Sequence, residues 1–338
     1  MNWSLKQFRV SYLELLLSFI WRQWSALGVA GYAEGEDRWV MDPEALLLFT
    51  CTMGRYEPRL FDEVLDWLDV NGRFINVQRL KTIIKKESFQ GEDILAAIAG
   101  IMSRRASMRK WGRLAQKINK DKEPEDLFYK KDGEPMPSFG ELDRDFNEYG
   151  FRRGPLKFRG YSKPVRTALP AGLTYKLRSL FGVNARCEIM LYLLTHESGH
   201  PSRIARETYY YQKTIQDTLI DMTFSGLVQV RSQGREKHYW LKPEQWSAFL
   251  PATGEFPAWI TWPPLFSSLE RIWLKLNQPK FLSLDPLLQS SELRKLMREV
   301  KPDIQRAGFA GVLSDDSAYP GEKYTAVFLS DISSLLEY

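Results

Sequence analysis

Apolar positions recur at helical spacing from the start of the chain. Leu5, Phe8, Tyr12, Leu15, Leu16, Phe19 and Ile20 make one broad face, widened by Trp21 and Trp24, and predict a single helix over residues 4–27. A face that wide belongs to a buried helix or to one that dimerises. Asp42 and Pro43 stand in the order of an N-cap and a first-turn proline and open a helix through Leu46, Leu47, Leu48 and Phe49. Pro58 opens another over 59–70, ended by Asn71-Gly72. Its acids Asp62, Glu63, Asp66 and Asp69 sit beside Leu60, Phe61, Leu65, Trp67 and Leu68 and read as a solvated face, not as catalytic carboxylates. Further helices are predicted at 76–86, 91–103 and 108–119, and Gly72 to Ile75 as a short strand. Residues 1–120 therefore read as a helical N-terminal domain.

The pattern then breaks. Residues 121–170 are rich in proline and glycine and read as a linker, draped over a neighbouring domain or solvated. Within it Arg152, Arg153, Lys157, Arg159, Lys163 and Arg166 form a basic arm with no acid between them, of the kind that lies along phosphates or enters a minor groove. Residues 244–338 begin with Trp246, Trp259, Trp262, Phe266 and Trp273 among prolines and read as a small, mixed, aromatic-rich C-terminal domain. Helices are predicted there at 265–277 and 290–307, the second disturbed by Pro302, then a strand over Tyr324–Leu329 and a short helix over Ser330–Leu336.

The most ordered pattern lies between these regions, from Asn184 to Pro243. Ile189, Leu191, Leu193 and Leu194 mark a helix over Ala185–His196, which Gly199 closes. Pro201 opens a second helix with Ser202, Ile204 and Ala205. After Tyr209-Tyr210-Tyr211 a third buries Ile215, Leu219 and Met222 and ends at Gly226. Leu227–Arg231 and Lys237–Leu241 then flank the charged turn 232–236 as a hairpin.

Three helices and a hairpin are the order of a winged helix-turn-helix. The run Leu219-x-x-Met222-x-x-x-Gly226-Leu227-Val228, followed by a basic hairpin, resembles the DNA-binding domain of the MarR-like and ArsR-like bacterial regulators. The resemblance covers residues 184–243 of a unit placed at 171–243. It implies a mainly α (α+β) chain with a central winged helix between the two flanking domains. The segment 43–86 leaves room for a second, degenerate unit of the same kind. Winged helices also dock proteins, so the fold alone does not fix the partner.

Charge sharpens this reading. The 338 residues carry a net +5. Residues 1–150 hold 22 Lys and Arg against 24 Asp and Glu, residues 151–250 hold 16 against 7, and residues 251–338 hold 9 against 11. The excess positive charge is therefore confined to the arm and the mid-chain unit, as a phosphate-binding face requires. Cys51 and Cys187 lie far apart in apolar runs and read as buried thiols in a reducing compartment. The opening residues lack a signal-peptide pattern, since Glu14 interrupts the apolar run, and the expected location is the cytoplasm.

Candidate chemistry is sparse. His196-Glu197-Ser198-Gly199-His200 matches the letters of a zinc-protease helix, which needs two histidines one turn apart on one face. Pro201 pushes His200 out of the helical region, and the third histidine, His238, stands on the hairpin. No G-x-S-x-G, C-x-x-C or G-x-G-x-x-G occurs, and neither enzyme activity nor a cofactor or metal is expected.

The resemblance implies which residues meet DNA. On the third helix Gln212, Lys213, Thr214, Gln216 and Asp217 would face base edges in the major groove, with Asp217 accepting from cytosine or orienting Lys213. Ser202, Arg203 and Arg206 would meet phosphate at the second helix, and Arg231, Arg235 and Lys237 on the hairpin would straddle the backbone. The expected partner is double-stranded DNA bound by a homodimer, with a protein partner or small-molecule effector engaging the flanks and no membrane. The expected role is a transcriptional regulator, on the pattern of an autoregulatory antitoxin-like repressor. The rivals are a protein-interaction scaffold and, last, a zinc hydrolase through the His196–His200 match.

Overall fold

The structure is a computed structural model and describes residues 4–31, 39–116, 123–234, 236–247 and 257–337. The chain starts with α1 (Leu5–Ala26), where the Ser4 hydroxyl accepts from the Gln7 amide and the Gln7 side chain accepts from the Ser4 amide. α2 (Pro43–Met53) is capped by Asp42, which accepts from the Glu44 and Ala45 amides. α3 (Pro58–Asn71), α4 (Val77–Glu87) and α5 (Glu92–Ser103) follow. Next come the two-residue parallel pair β1 (Glu125–Asp126) and β2 (Phe151–Arg152), with the short α6 (Arg144–Glu148) between them. The mid-chain unit comprises α7 (Leu173–Phe181), α8 (Ala185–Thr195), α9 (Pro201–Thr208), α10 (Gln212–Thr223) and the antiparallel hairpin β3 (Val228–Gln233) and β4 (Glu236–Leu241). The chain finishes with α11 (Trp262–Leu276), α12 (Pro279–Leu282), α13 (Pro286–Ala307) and α14 (Lys323–Glu337). It is mainly α, and no helix among the described residues is long and apolar enough to cross a membrane.

Two apolar cores organise these elements. The first joins both flanks: Phe8, Tyr12, Leu16 and Ile20 of α1 and Phe49 of α2 share it with Phe266, Trp273, Val300, Phe328 and Ile332. Phe49 stacks on Phe266 at 5.0 Å, and the Tyr12 hydroxyl donates to the Leu269 carbonyl at 3.0 Å. Residues 1–120 and 244–338, expected as separate domains, thus contribute to a common interior. The second core is that of the mid-chain unit, with Ile189, Leu193, Ile204, Ile215, Leu219, Val228 and Tyr239.

Three expectations are corrected. The strand predicted at Tyr324–Leu329 is the first half of α14. Tyr324, Phe328 and Ile332 are all buried at spacings of four, so the helical period decides over the short β-branched run. Residues 72–75 form the 3-10 turn Gly72–Phe74 rather than a strand, which removes the hairpin-like piece from the degenerate unit imagined at 43–86. Of the helix expected at 108–119, the described part holds a kinked 3-10 segment over Ala106–Arg113, and residues 117–119 lie outside the described residues.

The acids of α3 are not a solvated face either. Glu63 and Asp66 are buried, and together with Asp62 they hold the segment read as a basic arm. Arg153 is 4% exposed, forks onto Asp62 at 2.6 and 3.0 Å, and lies over the rings of Phe128 and Phe146. Asp66 accepts four backbone amides: Arg159 at 2.7 Å and Gly160 at 2.8 Å on one oxygen, Tyr161 and Ser162 at 3.0 Å on the other. Burial pushes the Asp66 carboxyl up, and the amides of Gly160, Ser162 and Arg159 outweigh it, leaving it below the ordinary range. Asp66→Asn replaces an acceptor oxygen with a donor NH2 facing two of those amides. Trypsin cleavage after Arg159 is expected to speed up about 10-fold or more, because local opening becomes easier. Unchanged cleavage would mean that the arm is held by something else.

Candidate nucleic-acid interface

The mid-chain unit is built from its turns outward. Between α8 and α9, Gly199 and Tyr239 exchange two backbone hydrogen bonds at 2.9 and 3.0 Å, tying the interhelical loop to β4. A Cβ at Gly199 would lie 2.6 Å from the Tyr192 ring and 2.8 Å from Ile204, so close packing requires glycine here. The histidines on either side serve the same turn. His196 follows α8, stacks on Tyr192 at 3.9 Å, and its Nδ1 meets the Tyr192 carbonyl at 2.9 Å. Burial lowers the His196 imidazole against the opposing pull of that carbonyl and of Glu207. His200 is the N-cap of α9, and its Nδ1 accepts from the Ser202 amide at 3.3 Å. The two rings engage different partners, and no group of three His, Cys, Asp or Glu among the described residues is placed to hold a metal ion.

Tyr209, between α9 and α10, has φ +62°, a left-handed conformation rare for a bulky residue. Its position is over-determined: the ring is buried, and its hydroxyl donates to Glu87 Oε1 at 2.5 Å, a carboxylate that also pairs with Arg306 at 2.7 Å. Tyr211 then caps α10 without a side-chain hydrogen bond, so no side chain occupies the first amides of that helix.

Ile215 and Leu219 anchor α10 to the second core, and Gln212, Lys213, Thr214, Gln216 and Asp217 are all exposed on its outer side. Lys213 Nζ and Asp217 Oδ1 stand 2.8 Å apart, so Asp217 orients Lys213. Ser202, Arg203 and Arg206 are exposed on α9, and both arginines lean on Glu207, at 2.9 and 3.5 Å. Arg231, over the Trp240 ring at 5.6 Å, and Lys237 are exposed on the hairpin. Arg235 lies outside the described residues. Of the arm, Lys157, Arg159, Lys163 and Arg166 are exposed, while Arg152 spends its guanidinium on Asp126 and Arg153 is enclosed. No family model, no curated protein and no solved structure matches the chain.

What periodicity missed is the ionic network that seats this unit on the first core. Glu44 of α2 is fully buried and accepts from Arg178 of α7 at 2.5 and 2.8 Å, from Arg79 of α4 at 2.7 Å and from the Asn76 amide at 2.7 Å. Arg178 also donates to Glu188 of α8 at 2.7 Å, and Arg79 to Asp42 and to the Thr208 carbonyl at the end of α9. Burial would raise the Glu44 carboxyl, but Arg178, Arg79 and the Asn76 amide outweigh it and hold it at about 2. The sequence held only half of this: Glu44 and Glu188 lead directly into the apolar runs 45–49 and 189–194, but nothing local names their partners.

Proposed function

We propose that the chain binds duplex DNA through α9, α10 and the hairpin, folded as a winged helix-turn-helix. In this reading it acts in the cytoplasm as a homodimeric transcriptional regulator, of the autoregulatory, antitoxin-like kind. The observation that carries the reading is the outer face of α10, where five polar side chains stand free of the core with exposed cations on both sides. Gln, Lys and Thr can read adenine, guanine and thymine edges, and the exposed Arg203, Arg206, Arg231 and Lys237 on α9 and the hairpin would meet phosphates. The uncapped amides at the start of α10 add a partial positive charge there.

The test is the salt dependence of binding to a fluorescent duplex. About six phosphate contacts predict an affinity that falls roughly 10³-fold between 50 and 200 mM salt. A flat dependence would sink the reading.

A second reading, docking of a protein partner, has its own support. Phe224 is 87% exposed at the end of α10, one turn from the exposed Ile220, with Leu227 just before the hairpin and Val230 on β3 also exposed. An apolar group of this size on an otherwise polar unit fits a partner surface.

A further inference from the structure

We propose that Glu87, at the end of α4, is a positioning residue for α10: through the Tyr209 hydroxyl it sets the direction in which α10 leaves its turn, and so the base sequence that helix selects. The proposal rests on the duplex-DNA reading and adds that selection is governed from outside the mid-chain unit. Ser88 and Tyr209 are the non-glycine residues of positive φ among the described residues, at +59° and +62°, and they close α4 and α9. A bulky residue keeps that conformation only where its surroundings hold it. The holding contact links the ends of these two helices, from the Tyr209 hydroxyl to Glu87 Oε1 at 2.5 Å.

Glu87 is itself fixed by the C-terminal helices. Arg306 of α13 donates to both its oxygens, at 2.7 and 2.9 Å, and the Ser267 hydroxyl of α11 donates to its carbonyl at 2.6 Å. The Tyr209 ring lies in the first core, with Arg79 and Lys86 of α4 over it at 5.6 and 5.5 Å. Ile204, Ala205 and Ile215 on either side belong to the second core. The next residue is held from the same helix: Asn76, the N-cap of α4, donates to the Tyr210 hydroxyl at 2.5 Å. The turn is thus a plug from one core into the other, and α10 starts three residues after Tyr209, at Gln212. Within α10 itself Ile215 and Leu219 are the buried residues, so a change at the turn can tilt it. Asp217 stands about 8 Å beyond the start of the helix, and a tilt of ~10° moves it by about 1.4 Å. That exceeds the tolerance of a base hydrogen bond, while long cationic side chains still follow their phosphates.

The quantity to measure is selectivity: affinity for a duplex of about 20 base pairs enriched from a random pool on the wild-type protein, over affinity for the unselected pool. Tyr209→Phe removes the hydroxyl alone and leaves Glu87 with Arg306. Selectivity is expected to fall about 10-fold, with the salt slope unchanged because no cation is lost. Arg306→Met frees Glu87 from α13 and should lower selectivity about 3-fold, a smaller loss because the hydroxyl keeps its acceptor. It decides the question if Tyr209→Phe fails to fold. Equal losses on both duplexes, unchanged selectivity, or an Arg306→Met slope lower by about one, the mark of a phosphate contact, would overturn the proposal. A wild-type protein that binds neither duplex removes the DNA reading itself. One that binds both equally leaves Glu87 nothing to position and overturns this proposal alone.

Discussion

Glu44→Ala is expected to cost about 3–5 kcal/mol of folding stability, in the range for removing one partner of a buried ion pair. The side chain is fully buried among two guanidinium groups, and its loss leaves Arg178 with Glu188 and one carbonyl, that of Phe74, as acceptors. The contrast is Asp217→Ala, which removes the exposed partner of Lys213 and should cost no more than about 0.5 kcal/mol. Denaturant melts of the two variants would separate these magnitudes, and a Glu44→Ala penalty under about 1 kcal/mol would refute the ionic account of the junction. The pH dependence has a definite sign. The Glu44 carboxyl falls from an ordinary 4.5 to about 2 on folding, so its contribution is fully present above about 4.5 and is lost as pH drops toward 2. Wild-type protein should therefore lose stability over that window more steeply than Glu44→Gln, which has no proton to take up there.

The same network shows where sequence reading reaches its limit. Helical periodicity located α1 to α5 and α8 to α10 within a few residues, because each buries its own stripe and ends at a local signal such as Asp42, Pro201 or Gly226. Pairings between distant residues leave no such local mark. Glu44 and Arg178 are 134 positions apart, and Asp66 and Gly160 are 94 apart, so an acid face on α3 and a basic arm looked solvated when read separately. Brought together, each removes the other's need for water. Tyr209 was legible only as part of a bend: that a tyrosine takes a left-handed turn follows from its hydroxyl reaching Glu87, a contact made by folding. The outer face of α10 was readable because it is what remains once Ile215 and Leu219 are assigned inward.

That face carries the second large effect. Lys213→Glu with Arg231→Glu reverses one cation on α10 and one on β3, both exposed and without a buried partner, so the fold should tolerate the change. Duplex affinity is expected to drop about 100-fold near 100 mM salt, and the salt slope to fall by about 2, one for each phosphate left without its cation. Anisotropy titrations at several salt concentrations would measure both quantities, with sizing to verify that the assembly is unchanged. Phe224→Glu supplies the opposite control. It deletes the exposed apolar group and leaves the cations in place, so duplex binding should survive it while any protein docking through the end of α10 should not. A chain that binds duplex equally well with Lys213 and Arg231 reversed, yet loses a partner when Phe224 becomes charged, would belong to the docking reading. The electrostatic reading stands only if the order of the two effects is the other way round.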